Sequence, residues 1–422
     1  MTTVALPRFI QVRQKFLPSE PVDVVGTLGR EFERVRPKVK PGARVAVAVG
    51  SRGIANLDKL IGAVTQELRQ AGAAPFIVPA MGSHGGATPE GQVRLLADYG
   101  VTEQRMGAPI RAAMDVERLG ATADGVEVLW SAEAFRADGV VVVNRVKPHT
   151  DFHSETLGSG LLKMMVVGLG KRAGAANFHA AAMRLGYERV LSTAARVALA
   201  TAPVLCGVAV VENQFHDTAR LEVLLPHEIE AREPELFRDA RRLMPRIPFD
   251  DIDLLIVDRL GKNISGAGMD PNVTGRGIHG ASALPGAQKA KPVVRRLFVR
   301  DLTPESHGNA VGVGLADFTT TRLVRAMDER VTFMNALTAL SLQSVKVPIH
   351  FESDRECVVR ALESLAIADT GRAKVARITD TLSLERLQAS EAFLDEVRGR
   401  TDLEIEDNCE DMKFDAAGNL AG

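Results

Sequence analysis

Cysteine is scarce in this chain: three in 422 residues, Cys206, Cys357 and Cys409, lie far apart with no C-x-x-C. Neither a disulfide framework nor a thiolate zinc site is indicated. Large aromatics are few, with Trp130, Tyr99 and Tyr187 all in the first half, so an aromatic wall supplied by the second half would have to come from phenylalanine. Charge of one sign is not in excess, at 52 basic against 53 acidic residues, and no basic stripe interleaves with aromatics. Nucleic acid is therefore not an expected partner. Long apolar runs are missing as well. The start, MTTVALPRFIQVRQKF, lacks the core of a signal peptide, and the apolar region near 190–211 is broken by Arg196 and Pro203. No membrane span is expected, and the chain reads as cytoplasmic. There is no G-x-S-x-G for a hydrolase nucleophile, no H-E-x-x-H for a zinc protease, no fixed-period repeat and no low-complexity tract.

What is present is a long chain with 45% hydrophobic composition, enough for a large core and too long for one ordinary domain. The first half alternates apolar strands with helices. RVAVAVG (44–50), APFIVPA (74–80) and GVVVVN (139–144) read as strands, the last of the continuous kind buried on both faces of a parallel sheet. ANLDKLIGAVTQELRQAG (55–72) reads as an amphipathic helix. In MGSHGGATPEGQVRLLADYG, Thr88 suits an N-cap, Pro89 the first helical position and Glu90 the first turn, which leaves 82–87 as a strand-to-helix loop. APVLCGVAVVEN and TARLEVLLP read as a strand pair joined through QFHD. After RLMPRIPFDD a second unit begins with DLLIVDRLGKNISGAG, a strand running into a glycine-rich loop. The expected division is 1–248, 249–400 and an acidic tail, 401–422. The tail reads as a solvated end, with packing back on the first domain as the alternative.

Chemistry concentrates in loops that follow strands, where open α/β sheets place their ligands. GSHGG strips bulk from both sides of His84 and leaves its imidazole accessible at a strand end. His149 follows Lys147 and Pro148 directly after the valine strand, while His153 carries weaker support and its role stays open. Lys163 interrupts LLKMMVV. Snorkelling is the ordinary reading of such a lysine. Three features favour another: LGSGLL can open a helix N-terminus suited to a phosphate through Ser159 and Gly160, the apolar flanks would desolvate the amine and make it nucleophilic, and His179 follows on the same or the next helix. A buried amine is a natural attachment point for a cofactor, and a neutral imidazole a natural metal ligand. Two rival motifs fail. GLGKRAG has the wrong spacing for a dinucleotide fingerprint, and GKNISGAG is not a Walker loop.

Arg52 in GSRG, His84 in GSHGG, His149 in VKPHTDF, Lys163 in SGLLK and His179 in NFHAA together resemble the nickel-pincer lactate racemases and their hydroxyacid racemase and epimerase relatives. The resemblance covers most of the chain. It implies two α/β domains with mostly parallel sheets flanked by helices, and an active site in the cleft between them. It also implies nickel, held by a pyridinium mononucleotide with two sulfur substituents (thioamide and thiocarboxylate) linked covalently to Lys163. By the same resemblance His179 completes the nickel coordination, His84 and His149 are the acid/base pair, and Arg52 helps hold cofactor or substrate. The implied partners are a small hydroxyacid and the host's cofactor-biosynthesis proteins, with the oligomeric state open.

That assignment is chemically coherent. The C–H beside a carboxylate and a hydroxyl is weakly acidic, so inversion is easier by hydride removal while a base takes the hydroxyl proton. A pyridinium suits hydride acceptance, and two bases serve the two hands of substrate. The loop GKNISGAGMDPNVTGR offers Lys262, Asn263, Asp270, Asn272 and Arg276 as substrate-facing groups. They favour a substrate richer in hydroxyls or carboxylates than lactate, the alternative being a polar interdomain loop. A non-catalytic nickel- or nucleotide-binding protein on the same scaffold is the second reading, and a nicotinamide-dependent dehydrogenase a distant third.

Overall fold

A computed structural model describes residues 4–421 apart from 51, 52, 151, 153 and 278–290. Arg52 and His153 thus lie outside the described residues. The chain forms two compact units, Pro18–Met244 on one hand and Met1–Leu17 with Pro245–Gly422 on the other. The latter contains the first strand, β1 (Phe9–Gln14). No helix among the described residues is long and apolar enough to cross a membrane.

The Pro18–Met244 unit is built on β2 (Arg44–Val49), β3 (Ala74–Pro79), β6 (Gly139–Arg145), β7 (Val204–Glu212) and β8 (Thr218–Leu224), with β4 (Val116–Ala121) and β5 (Glu127–Ser131) forming a separate two-stranded ribbon. The sheet order is β3-β2-β6-β7-β8. Its first four strands are parallel, and β8 returns antiparallel as the QFHD connection predicts. Val140 to Val143 are fully buried, as a central strand covered on both faces requires. On one face Val45, Val47, Val49, Val141 and Val143 pack against Leu57, Leu60, Ile61, Val64 and Leu68 of the helix Leu57–Gln70. The chain steps outward one way from β2 to β3 and the other way from β6 to β7. The crevice beyond the carboxyl ends of β2 and β6 is therefore the topological switch point, where such sheets bind ligands.

The second unit carries β9 (Asp251–Leu260), β10 (Val293–Leu302), β11 (Phe318–Thr320), β12 (Ile349–Phe351), β13 (Val375–Ile378), β14 (Arg386–Ser390) and β15 (Leu403–Ile405). The order is β12-β11-β10-β9-β13-β14-β1-β15, parallel from β12 to β13 and antiparallel beyond.

Two boundaries differ from the sequence reading. Residues 1–17 sit with the C-terminal unit because β1 pairs with β14 and β15. The tail packs within that same unit. Phe9 and Glu410 exchange both main-chain hydrogen bonds, the Leu420 N–H donates to the fully buried Asp354 at 2.9 Å, and Arg300 and Arg322 hold the same carboxylate. Its acidic composition predicts solvation, but the backbone ladder and the buried Leu403 and Leu420 decide otherwise.

Candidate functional site

The β6 strand delivers its residues to the switch point. Beyond it, Lys147 and Ser159 pair through reciprocal main-chain bonds of 2.8 Å, which close the intervening loop at its base. Gly158 is required at that closure, since a Cβ there would stand 2.3 Å from the Lys147 carbonyl and 2.4 Å from the Phe237 ring. Within the loop His149 is only 3% exposed. Its ring stacks on Phe152 at 4.7 Å between centroids, and Phe152 stacks in turn on Tyr187 at 5.1 Å. The His149 Nε2 atom meets the Lys163 ammonium in a short hydrogen-bonding contact.

His179 lies on the helix Lys171–Leu185. Its Nδ1 is 3.3 Å from the hydroxyl of the buried Tyr187, and Phe178 meets it edge-on at 5.5 Å. Tyr187 is thus the hub that joins the two histidines, with ring centroids 5.9 Å from His149 and 6.1 Å from His179.

Lys163 ends a single helical turn, Leu161–Lys163, that passes directly into a π turn, Met164–Gly168. Such turns recur at functional positions because one extra residue redirects the side chains around it. This one is held from several sides. Trp130 Nε1 donates to the Met165 carbonyl at 2.6 Å, the Ser131 N–H to Leu169 at 2.6 Å, and the Gly82 N–H to Gly168 at 3.0 Å. The last bond ties the His84 loop to the segment that follows Lys163. His84 itself is half-buried and extended, with Gly85 and Gly86 both at φ +65 beside it. Thr88 caps the following helix, Pro89–Asp98, by accepting from Gly91 N–H at 3.1 Å, as the sequence predicts.

The helix start that LGSGLL opens has a side chain against it. The helix N-terminus at Gly160 is occupied by the carboxylate of Glu233, which accepts from the Leu162 N–H at 3.1 Å. A Cβ at Gly160 would lie 2.3 Å from that carboxylate, so the glycine makes room for Glu233. Ser159 is buried in the Lys147 bridge. Glu233 comes from the helix Pro226–Leu243, where Ile229, Glu233, Leu236 and Ala240 form one buried stripe. A glutamate at an apolar stripe position is a signal the sequence carries but does not explain by itself.

Burial pushes the Glu233 carboxyl up from 4.5 to about 7, against the opposing pull of the Leu162 and Leu161 N–H groups. Between those two values the folded chain holds a proton that the unfolded chain has lost, so stability falls as pH rises. The whole interval is worth about 3 kcal/mol. Glu233→Gln removes that slope: its thermal midpoint should lose markedly less than the parent's between pH 5 and pH 8, as read by calorimetry. Equal slopes in both proteins would show that Glu233 stays ionised throughout.

In the second unit the polar groups of the GKNISGAGMDPNVTGR loop have partners within the unit. Arg276 pairs with Asp317 at 2.7 Å and donates to the Val294 carbonyl. Lys262 donates to the Gly266 carbonyl at 2.5 Å, and Asn263 accepts from Thr303 at 2.7 Å. Asp270 caps Pro271–Thr274, and Asn272 donates to it. These bonds hold the loop in shape and tie it to the neighbouring segments at 294, 303 and 317.

Residues 31–189, which include His84, His149, Lys163 and His179, match the family described as lactate racemase N-terminal domain. Among solved structures, the lactate racemase apoprotein from Thermoanaerobacterium thermosaccharolyticum is 15% identical, with 89% of this chain and 99% of that chain covered and a TM-score of 0.51. At that identity the likeness is one of fold. No curated protein matches the chain.

Proposed function

We propose, from the lactate racemase N-terminal match as premise, that the chain is a racemase or epimerase of a 2-hydroxy acid. The observation that carries the reading is the contact of the nearly buried His149 with Lys163, on one aromatic wall with His179. The residues fit a lysine-linked nickel-pincer nucleotide. A pincer that brings its own sulfur donors would take a nitrogen ligand from the protein, and His179, its Nδ1 beside the Tyr187 hydroxyl, would supply it. Lys163 would be the attachment point. When bound, the group supplies hydride acceptance and return at the reacting carbon.

The chain's own residues do the rest. His149, in contact with Lys163, would accept a hydroxyl proton beside the attachment point. His84, on the loop tied to Gly168, serves the opposite hand of substrate. The Phe152–Tyr187 stack excludes water from one side of His149, and the Tyr187 hydroxyl fixes the His179 ring so that its other nitrogen can face a metal. Two acid/bases argue for turnover over mere binding, since a carrier needs the attachment site and ligand alone.

The test is chiral analysis of enantiopure 2-hydroxy acids, from lactate to polyhydroxylated and dicarboxylic members, with protein made in a host that synthesises the cofactor. At least one is expected to lose optical purity at a rate that tracks nickel content. No interconversion across the set by nickel-loaded protein would overturn the proposal.

A further inference from the structure

Lys171 has no exposed surface. It starts the helix Lys171–Leu185 at φ +54, a left-handed conformation that a side-chain-bearing residue adopts at a cost. Its ammonium donates to the carbonyl of Pro79, the last residue of β3, at 2.7 Å, and to Gln92 Oε1 at 3.3 Å. Gln92 is buried too. Its Nε2 donates to the carbonyls of Gly82 at 3.1 Å and His84 at 3.3 Å. Burial brings the Lys171 amine down to about 8, with Glu133 opposing.

We infer that Lys171 and Gln92 form a relay of positioning residues that fixes the main chain at His84. The logic lies in donors and acceptors. An ammonium can only donate, so Gln92 must turn its oxygen toward Lys171, and its two N–H groups are thereby committed to Gly82 and His84. A glutamine facing a neutral partner could flip and would then present an oxygen to those carbonyls. Lys171 thus decides the orientation of an amide that decides the path of the loop. Neither side chain is exposed, so neither is offered to substrate, and water is poorly placed to substitute for either. The same lysine roots the helix whose ninth residue is His179, so one buried cation sets both the proposed base and the proposed nickel ligand against the end of β3.

The inference rests on the acid/base reading of His84, yet its first test does not require turnover. In hydrogen–deuterium exchange of the full-length protein, the reporting amides are His84, Ala87 and Thr88, hydrogen-bonded within this loop, and Gly82, hydrogen-bonded to Gly168. Gln92→Glu keeps an acceptor for Lys171 and removes both donors to the loop. It should speed exchange across 81–88 by about tenfold or more, leaving the interior of 171–185 at the parental rate. Lys171→Met should speed the same stretch. On a substrate identified by the chiral test, both variants should lower kcat by about tenfold or more with KM little changed, the signature of a displaced reacting group. Parental exchange at 81–88 in Gln92→Glu would overturn the relay, as would acceleration spread evenly over Pro18–Met244. Should Lys171→Met fail to fold, Gln92→Glu decides alone. Failure of the racemase reading would appear separately, as absent interconversion by the parent protein.

Discussion

Lys163→Ala protein, made in a host that synthesises the pincer nucleotide, should lack the nucleotide-sized mass increment of the parent, and nickel should be lost with it. The effect is all-or-none because no other amine shares the position. Lys163 sits where a helical turn passes into a π turn, between the buried Leu162 and Met164 and against His149 Nε2. Lys163→Arg keeps the charge but offers no amine for attachment, and it should fail in the same way. That would separate attachment from electrostatics. His179→Ala should behave differently, retaining the organic adduct with nickel reduced, since its imidazole lies on the Tyr187 side of the cluster. Intact mass and metal analysis read both quantities. An adduct persisting in Lys163→Ala would sink the attachment assignment, and parental nickel in His179→Ala the ligand assignment. An adduct with nickel and no turnover of any hydroxyacid would leave the binding-protein reading in its place.

His84→Ala and His149→Ala should each slow interconversion about a hundredfold to ten-thousandfold, and in both directions, because an equilibrium cannot be catalysed one way only. The two variants are expected to part in a single turnover. With each pure enantiomer in turn, one variant retains the first half of the reaction with one hand of substrate, and the other variant with its mirror image. The measurement requires protein shown to keep adduct and nickel, above all for His149→Ala, where the partner of the Lys163 amine is removed. If both variants racemise at the parental rate, the two-base mechanism is wrong for this chain, and the GSHGG and VKPHT loops are only structural.

Much of this site was legible in the chain. The continuous valine run announced β6, and Thr88-Pro89-Glu90 announced the start of the helix after His84, because burial on both faces and N-cap chemistry are local in sequence. His149 beside Lys163 was readable as two residues in the same loop region but not as a contact, since the Lys147–Ser159 closure that folds the loop back involves no side-chain pattern. Glu233 at the start of the Leu161–Lys163 turn is not legible in sequence, because its partner N–H groups lie some seventy positions earlier and a glycine there looks the same whether an anion comes from a cofactor or from a neighbouring helix. The partners of the polar loop at 262–276 are hidden for a related reason: composition counts hydrogen-bonding groups and does not say with whom they bond.

By itself, then, the sequence determined the alternation of strands and helices and the segments in which the imidazoles and the amine stand, all of which depend on neighbours within a few positions. Only the tertiary structure decided that β1 and the acidic tail complete the second sheet, that Tyr187 joins His149 to His179, that Glu233 fills the helix end below Lys163, and that Lys171 reaches the His84 loop through Gln92. Each of those rests on a pairing between distant segments. Such pairings are fixed by which buried donors and acceptors must find one another once the core has closed, and a periodicity read along the chain does not contain them.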